Sequence, residues 1–493
     1  MRERRVIVIG AGMGGLAAAL ELAARGVAVT VLEKERDVGG KVRRQETGGA
    51  IVDAGPTTLT MRPVLDALVG AAGLRLEDLV GLRPVELLAR HSWQDGSRLD
   101  LYADPARTED AIGAFAGPED ARGYRRFRAH ARRIRESVEA PVLAAQRPTL
   151  AAMPGRVGLA AGLRTLFAID ARRTVWQALR DFFSDPRLCQ LFARQAGLSG
   201  SSPLHAPATL NLIADVEGEA WTVDGGMWQL PRALADTVGR LGGEVRCGEG
   251  VAEILVRGRA AGVVTDHGET ILGDAVVLNA DIGALRAGHF GAAARDAVTR
   301  AEVGERSLSA ATWSTVARTA GFPLADRNVF FSRDPAEELG ALFDERRAPA
   351  DPTVMVSAQG QVGVGGPERL LIQVAAPAGT DGADQEHAML GALARHGLEL
   401  HREATVTTTP RDFERLSPGT GGALYGAVAH SWRATFDRAP AWSRLPGLYL
   451  AGGSVHPGAG VALAAMSGRL CAARVIGDLA VGRGLAAGQR VGR

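Results

Sequence analysis

The residue types best suited to chemistry lie near the start of the chain. Gly10-Ala11-Gly12-Met13-Gly14-Gly15 follows the apolar run Val6-Ile7-Val8-Ile9 and precedes a stretch rich in alanine and leucine. A second apolar run, Val27 to Leu32, ends at Glu33. In that order each glycine has a mechanical task. Gly10 allows a tight turn out of a strand, Gly12 lets the backbone approach a pyrophosphate, and Gly15 lets the next helix lie close to the sheet. The helix start then offers unpaired N–H groups and the positive end of its dipole to phosphate. Glu33, about 20 residues on, is placed to accept from both ribose hydroxyls and would repel a 2′-phosphate. A glycine turn alone is weak evidence, but strand, turn, helix, strand and acid in register read as a dinucleotide site.

Two other features extend the pattern. After Glu33 come Lys34 and then Gly39-Gly40-Lys41, a cation beside two glycines that suits a loop closing over the far side of a pyrophosphate. Asp53-Ala54-Gly55-Pro56-Thr57 follows a predicted strand and would bring backbone N–H groups to a ring edge; a solvated loop and a hairpin is the alternative. Asp224-Gly225-Gly226 leads into a helix with Leu230, Leu234, Val238 and Leu241 on one face. Short strands follow, one beginning at Gly250-Val251 and the last, Ala275–Leu278, entering Asn279-Ala280-Asp281. Near the end, Leu448-Tyr449-Leu450 enters Gly452-Gly453, and His456-Pro457-Gly458-Ala459-Gly460-Val461 opens a small-residue helix to about Ile476.

The elements that must position these residues belong to an ordinary globular chain. Its 493 residues suggest two or three folded units, and 46% apolar with 23% charged residues excludes wholesale disorder. A net charge of +2 is too balanced for nucleic acid as the main partner. Cys189, Cys247 and Cys471 match no metal or redox spacing and fit a reducing cytoplasm, and His205, His289, His387 and His396 form no metal set. No metal is expected. No apolar run is long enough to span a bilayer. Residues 1–24, with Arg4-Arg5 before an apolar middle, also fit an export signal. Such a signal has no use for the acid at position 33, so the strand reading is taken and the protein is expected not to be secreted.

This distribution resembles the flavin-dependent amine oxidase and phytoene desaturase superfamily, and within it the bacterial carotenoid desaturases. Asp53 to Thr57, Gly225-Gly226, Tyr449-Leu450-Ala451-Gly452 and His456 to Gly460 carry the likeness. Leu59-Thr60-Met61-Arg62-Pro63 and Arg172-Arg173-Thr174-Val175-Trp176 look like the purple-bacterial branch that acts on 1-hydroxycarotenoids. One departure is Gly460-Val461-Ala462-Leu463, where phytoene desaturases read Gly-Ile-Pro-Gly; it favours a later desaturation over the phytoene step. The resemblance implies an α/β fold: a discontinuous Rossmann-like FAD-binding domain (1–85, 222–290 and 421–493) and a mixed α+β substrate domain (86–221 and 291–420). It implies non-covalent FAD held by Gly10, Gly12, Gly14, Gly15, Glu33, Lys34, Gly39, Gly40, Lys41, Gly55, Pro56, Thr57, Val251, Asp281, Gly452, Gly453, Gly460 and Val461. The implied reaction is C3–C4 dehydrogenation of an acyclic 1-hydroxycarotenoid, with quinone or dioxygen as electron acceptor.

The substrate region is less explicit. Between Arg122 and Arg135 lie seven arginines and no acid, with Tyr124, Phe127 and Ile134 elsewhere on the same predicted helix. Leu143–Phe167 is a second basic and apolar stretch. Within a helical segment of about 105–185, two readings stand: docking on an anionic membrane surface, or a solvated arginine face over an ordinary core. A forty-carbon polyene favours docking, since at about 0.8 kcal/mol per CH2 its exposure to water costs tens of kcal/mol. A cytoplasmic protein peripheral on the inner membrane follows. Asp170 and Arg173 align with a segment carrying candidate catalytic groups in the desaturases, against the plainer reading of an ion pair within a helix. Other outcomes stay open: a phytoene-type desaturase, a carotenoid isomerase, an amine or porphyrinogen oxidase of the same fold, a nicotinamide dehydrogenase, or a flavin-free carrier of apolar ligands.

Overall fold

The computed structural model describes residues 4–148, 169–382, 385–431 and 433–488. The chain opens with strand β1 (Arg5–Ile9), helix α1 (Met13–Ala23) and strand β2 (Ala28–Glu33). Helices α2 (Pro118–Val138), α3 (Pro186–Gly197) and α4 (Gln229–Arg240) follow, then strands β3 (Glu244–Cys247), β4 (Ala275–Leu278), β5 (Ser309–Ala320), β6 (Val354–Gln361), β7 (Glu368–Ala376) and β8 (Leu448–Leu450). Helix α5 (Val461–Gly488) closes the described chain, twelve residues longer than its small-residue pattern alone suggested.

One sheet is parallel throughout, in the order β8-β4-β1-β2-β3. Val6 to Ile9 are fully or nearly fully buried, as a strand covered on both faces requires. Helices α1, α4 and α5 cover one face; the antiparallel meander Val251–Val256, Ala260–Thr265, Thr270–Leu272 and the segment after Ile282 cover the other. Leu230, Leu234 and Val238 point into that core as their spacing predicts, whereas Leu241 lies just past the helix end and is half exposed. Helices α1 and α5 cross closely: a Cβ on Gly468 would lie 2.2 Å from the Gly14 carbonyl oxygen.

The second sheet has seven strands in the order Glu399–Thr408, β5, β7, β6, Arg327–Phe330, Leu87–Ser92, Arg98–Tyr102. Its strands alternate cleanly. Val354 and Val356 of β6, with Leu370, Ile372 and Val374 of β7, pack on the helix Gln385–Arg395, while Met355 faces the helical layer containing α2 and α3.

Helix α2 buries Tyr124, Phe127, Ala131 and Ile134, packs Phe127 against Phe182, Phe183 and Phe192, and turns Arg122, Arg125, Arg126, Arg132 and Arg133 outward. Arg125 pairs with Glu109, Arg132 with Glu136, and Arg135 with Asp215 at 3.1 Å. The apolar side of this helix is therefore used by the protein's own core. The second basic stretch, Leu143–Phe167, lies outside the described residues beyond Pro148. No helix among the described residues is long and apolar enough to cross a membrane.

Candidate functional site

The parallel sheet delivers β1, β4 and β8 side by side, so the turns leaving their carboxyl ends converge. Gly10 leaves β1 at φ +95°, a conformation glycine adopts without strain, and its N–H donates to the Leu32 carbonyl at 2.8 Å. Helix α1 then begins. Its first N–H groups have no carbonyl one turn earlier and point out of the helix end.

Asn279, leaving β4, fills the space between these turns. A Cβ on Gly12 would lie 2.8 Å from Asn279 Oδ1, one on Gly14 would lie 2.8 Å from both Asn279 Nδ2 and the Gly452 nitrogen, and one on Gly15 would lie 2.1 Å from the Gly10 oxygen. Asn279 Nδ2 donates to the Ala451 carbonyl at 3.1 Å, while Oδ1 is buried without a partner. Thus Asn279 locks the opening and closing glycine turns together. The sequence reading passed over it for Asp281, whose carboxylate is committed elsewhere. Asp281 accepts from the Gly283 N–H at 2.7 Å, capping a short helix, and from Arg306 at 2.9 Å.

Glu33 is 7% exposed; its carboxylate oxygens accept from the Ala11 N–H at 2.7 Å and the Glu35 N–H at 2.9 Å. Burial raises its pKa, against the pull of those two donors. Each oxygen keeps a further lone pair for a ribose hydroxyl. Val251 starts the meander beside this acid, since the Glu249 and Gly248 N–H groups donate to the Glu33 and Glu35 carbonyls. Lys34 points away, its Nζ donating to the Arg415 carbonyl at 2.7 Å.

Gly39 and Gly40 close over the glycine turn. The Gly39 N–H donates to the Ala11 carbonyl at 2.8 Å, and a Cβ on Gly40 would sit 3.4 Å from Gly12 Cα. Lys41 lies deep in the molecule, yet its side chain borders open space; Nζ donates to the Leu424 carbonyl at 2.6 Å. Burial lowers its pKa. Gly55 passes so near Lys41 that a Cβ would meet its carbonyl oxygen at 2.0 Å. The Asp53–Thr57 turn is fixed on both sides. Asp53 accepts from the Met227 N–H at 2.8 Å and the Trp228 N–H at 3.2 Å, which explains Gly225-Gly226. Its own backbone exchanges two hydrogen bonds with the Gln359 amide on β6, and Thr57 Oγ1 lies 3.4 Å from Ser357 Oγ.

At the far end, the Gly452 N–H donates to Ser467 Oγ at 3.1 Å, and Gly453 precedes Ser454. Gly460 sits at φ +124° with open space where a Cβ would point, one residue before Val461 begins α5. Arg438 approaches this helix start: a Cβ on Gly458 would lie 3.5 Å from its Cζ. Its Nη2 donates to the Ala427 carbonyl at 3.2 Å, Nη1 is buried without a partner, and no acid pairs with it among the described residues. Nothing in the spacing of the sequence marked Arg438.

Asp170 and Arg173 do pair, with Arg173 Nε donating to Asp170 Oδ1 at 3.0 Å, but not within a helix. Asp170 has φ +47°, which an α-helix excludes, and both residues lie in the turn before Val175–Leu179. Asp170 also meets His130 at 3.5 Å; despite partial burial, His130 and Arg173 hold its carboxyl well below the usual range.

A turn whose Cβ positions are all closed, a helix start with free donors, and a buried acid with spare lone pairs fit a dinucleotide cofactor. The family model for flavin containing amine oxidoreductase matches residues 13–309. The chain belongs to that family. It is 46% identical to a hydroxyneurosporene desaturase of Rubrivivax gelatinosus, over 97% of this chain and 94% of that protein. It is 40% identical to one of Cereibacter sphaeroides (97% and 98%) and 31% identical to a 4,4′-diapolycopene oxygenase of a Methylomonas species (97% and 99%). Among solved structures, a putrescine oxidase bound to putrescine shares the fold at TM-score 0.62 and 15% identity, covering 97% of this chain and 99% of that one. The chain is thus an FAD-dependent oxidoreductase with the amine oxidase fold.

Proposed function

We propose that this enzyme dehydrogenates C3–C4 of an acyclic 1-hydroxycarotenoid. The observation that carries the reading is the 46% identity, spread over 97% of the chain, to a hydroxyneurosporene desaturase. The 1–85, 222–290 and 421–493 segments form the FAD-binding unit in this reading, with FAD bound non-covalently; 86–221 and 291–420 hold the substrate.

Bound FAD supplies an acceptor for hydride from an allylic carbon. The protein's part is to bind, orient and exclude water. The N–H groups at the start of α1 hold the pyrophosphate, Glu33 takes the ribose hydroxyls, and Gly39-Gly40 closes over both. Arg438 and the start of α5 would offer positive charge to the ring of a bound flavin. The odd-numbered side chains of β6, reaching from Gln359 and Ser357 to Met355, form the wall on which the polyene lies. Positive charge developing on the polyene is spread by conjugation, so positioning and dryness count for more than an acid or base. The Asp170 carboxylate, so strongly held ionised, is a poor proton acceptor; with Arg173 it positions the turn into the helical layer.

Peripheral docking on the inner membrane follows from the substrate, which passes at little cost from bilayer to apolar protein but not through water. The electron acceptor is quinone or dioxygen. The test is anaerobic incubation of the holoenzyme with neurosporene, lycopene and their 1-hydroxy derivatives in liposomes. A red shift with the hydroxylated substrates supports the reading, and no spectral change with any of the four overturns it. A mass gain of oxygen in air would instead place the enzyme with its oxygenase relative.

A further inference from the structure

An arginine deep in the fold has almost nothing to bond. Arg194, in the last turn of α3, points at β6, where its only hydrogen-bond acceptor among the described residues is Met355 Sδ at 3.9 Å. Its Nε is buried and without a partner. Glu217 lies 3.6 Å away, outside hydrogen-bond range, and is shared with Arg327 at 3.5 Å. Two guanidinium groups therefore share one carboxylate as ion-pair partner, and Nε of Arg194 is left with no acceptor. A guanidinium carries five N–H donors, and a thioether is a weak acceptor.

Tyr425 faces the same place. Its ring packs on Gly200, just beyond α3, and it is close enough to Arg194 for the two to interact electrostatically. Its hydroxyl has no hydrogen-bond partner among the described residues, and its side chain, though deep, borders open space. Tyr425 is also tied to the flavin side. Leu424 before it receives Lys41 Nζ, and a Cβ on Gly426 after it would lie 3.1 Å from Ser454 Cα.

The placement along β6 supplies the ruler. Ser357 touches Thr57 of the flavin-side turn, and Met355, two residues along the same face, touches Arg194. Two strand residues span about 6.6 Å. In a substrate oxidised at C3–C4, the oxygen on C1 lies within about 4 Å of C3, given bonds near 1.5 Å. The group that reads that hydroxyl must therefore sit beside the flavin, not at the remote end of the polyene. Arg194 lies at that distance along β6, and Tyr425 faces it from the loop that carries Leu424.

We infer that Arg194 and Tyr425 form the receptor for the substrate's C1 hydroxyl. Arg194 donates to the hydroxyl oxygen and Tyr425 makes the second hydrogen bond, while Glu217, itself paired with Arg327, holds Arg194 in place. The inference rests on the desaturase reading and deepens it, since it assigns the preference for a hydroxylated end group to named side chains.

The test compares kcat/KM for 1-hydroxyneurosporene and neurosporene in wild type, Tyr425→Phe and Arg194→Met holoenzyme. Flavin absorbance serves as the measure of folded protein. Tyr425→Phe keeps the ring on Gly200 and removes only the hydroxyl. The ratio of the two constants is expected to fall about tenfold in Tyr425→Phe, the order of one lost hydrogen bond, and further in Arg194→Met. Merely structural damage would lower both constants together and leave their ratio intact, which overturns the inference. Equilibrium binding of both carotenoids to the oxidised holoenzyme, followed by their absorbance, gives a second readout that needs no turnover. Should wild type convert neither substrate, the desaturase reading itself fails. A wild type that prefers the hydroxylated substrate while Tyr425→Phe keeps the full preference removes only the receptor.

Discussion

A side chain at Gly12 has nowhere to go: its Cβ would meet Asn279 Oδ1 at 2.8 Å, within the turn proposed to hold the pyrophosphate. Gly12→Val is expected to abolish flavin retention, read as the ratio of visible to ultraviolet absorbance after gel filtration; normal flavin content in that variant would count against the site. Two buried histidines give a pH prediction. His91 is 0% and His456 2% exposed, and burial foremost, with nearby arginines, lowers their pKa values to about 3 and about 4. Both stay neutral in the folded protein at pH values where the unfolded chain, titrating near 6.5, takes up protons. Unfolding thus binds protons, and stability falls as pH drops below about 6.5. Each histidine contributes a slope of about 1.4 kcal/mol per pH unit, continuing to about pH 4 for His456 and about pH 3 for His91. Denaturant melts between pH 4.5 and 8 should show a plateau above pH 7 and this acid limb. His91→Gln should reduce the slope.

Among the elements, α1 and α5 cross with almost no space between their backbones. Gly468 faces the Gly14 carbonyl with no room for a Cβ. Gly468→Leu should cost about 1–3 kcal/mol, as overpacking does, and loosen flavin as well, because Gly14 belongs to the turn proposed to hold the phosphates. A melt and a flavin titration on the same variant check both effects. Helix α2 is the opposite case, with a buried aromatic side and an exposed basic one. Arg122, Arg126 and Arg133 replaced together by Gln should weaken sedimentation with anionic liposomes in a salt-sensitive way while leaving flavin absorbance intact. Unchanged sedimentation would leave the helix as a solvated face over its core.

On the scale of the whole molecule, strands from residues 5–33, 244–278 and 448–450 make one parallel sheet, so the turns leaving their carboxyl ends share one edge. A ligand held by all three binds only the folded chain. At a free concentration a hundredfold above its Kd it adds about 2.7 kcal/mol. Removing FAD should therefore lower Tm by about 2–3 °C in calorimetry, and adding it back should restore the loss. An apoprotein melting at the holoenzyme's temperature would show that the segments cohere without it.

Much of the cofactor side was legible because its constraints are local. A strand, a glycine turn and a helix follow each other within about 20 residues, and each glycine's place is fixed by its own φ or by the atom a Cβ would strike. Glu33 could be read for the same reason, by its distance from the turn. Asn279 could not, since its work is done across gaps of more than a hundred residues, and Arg438 could not, since its approach to Gly458 follows no characteristic spacing. Asp170 and Arg173 were found as a pair but placed in a helix, because spacing alone does not reveal a positive φ. Period and composition by themselves determined the dinucleotide turn, the parallel strands and the apolar faces of the helices. Only the folded chain decided which polar groups face each other: Arg194 meets Met355 because the end of α3 is laid against β6. Packing, unlike backbone geometry, is a property of residues that the sequence keeps far apart.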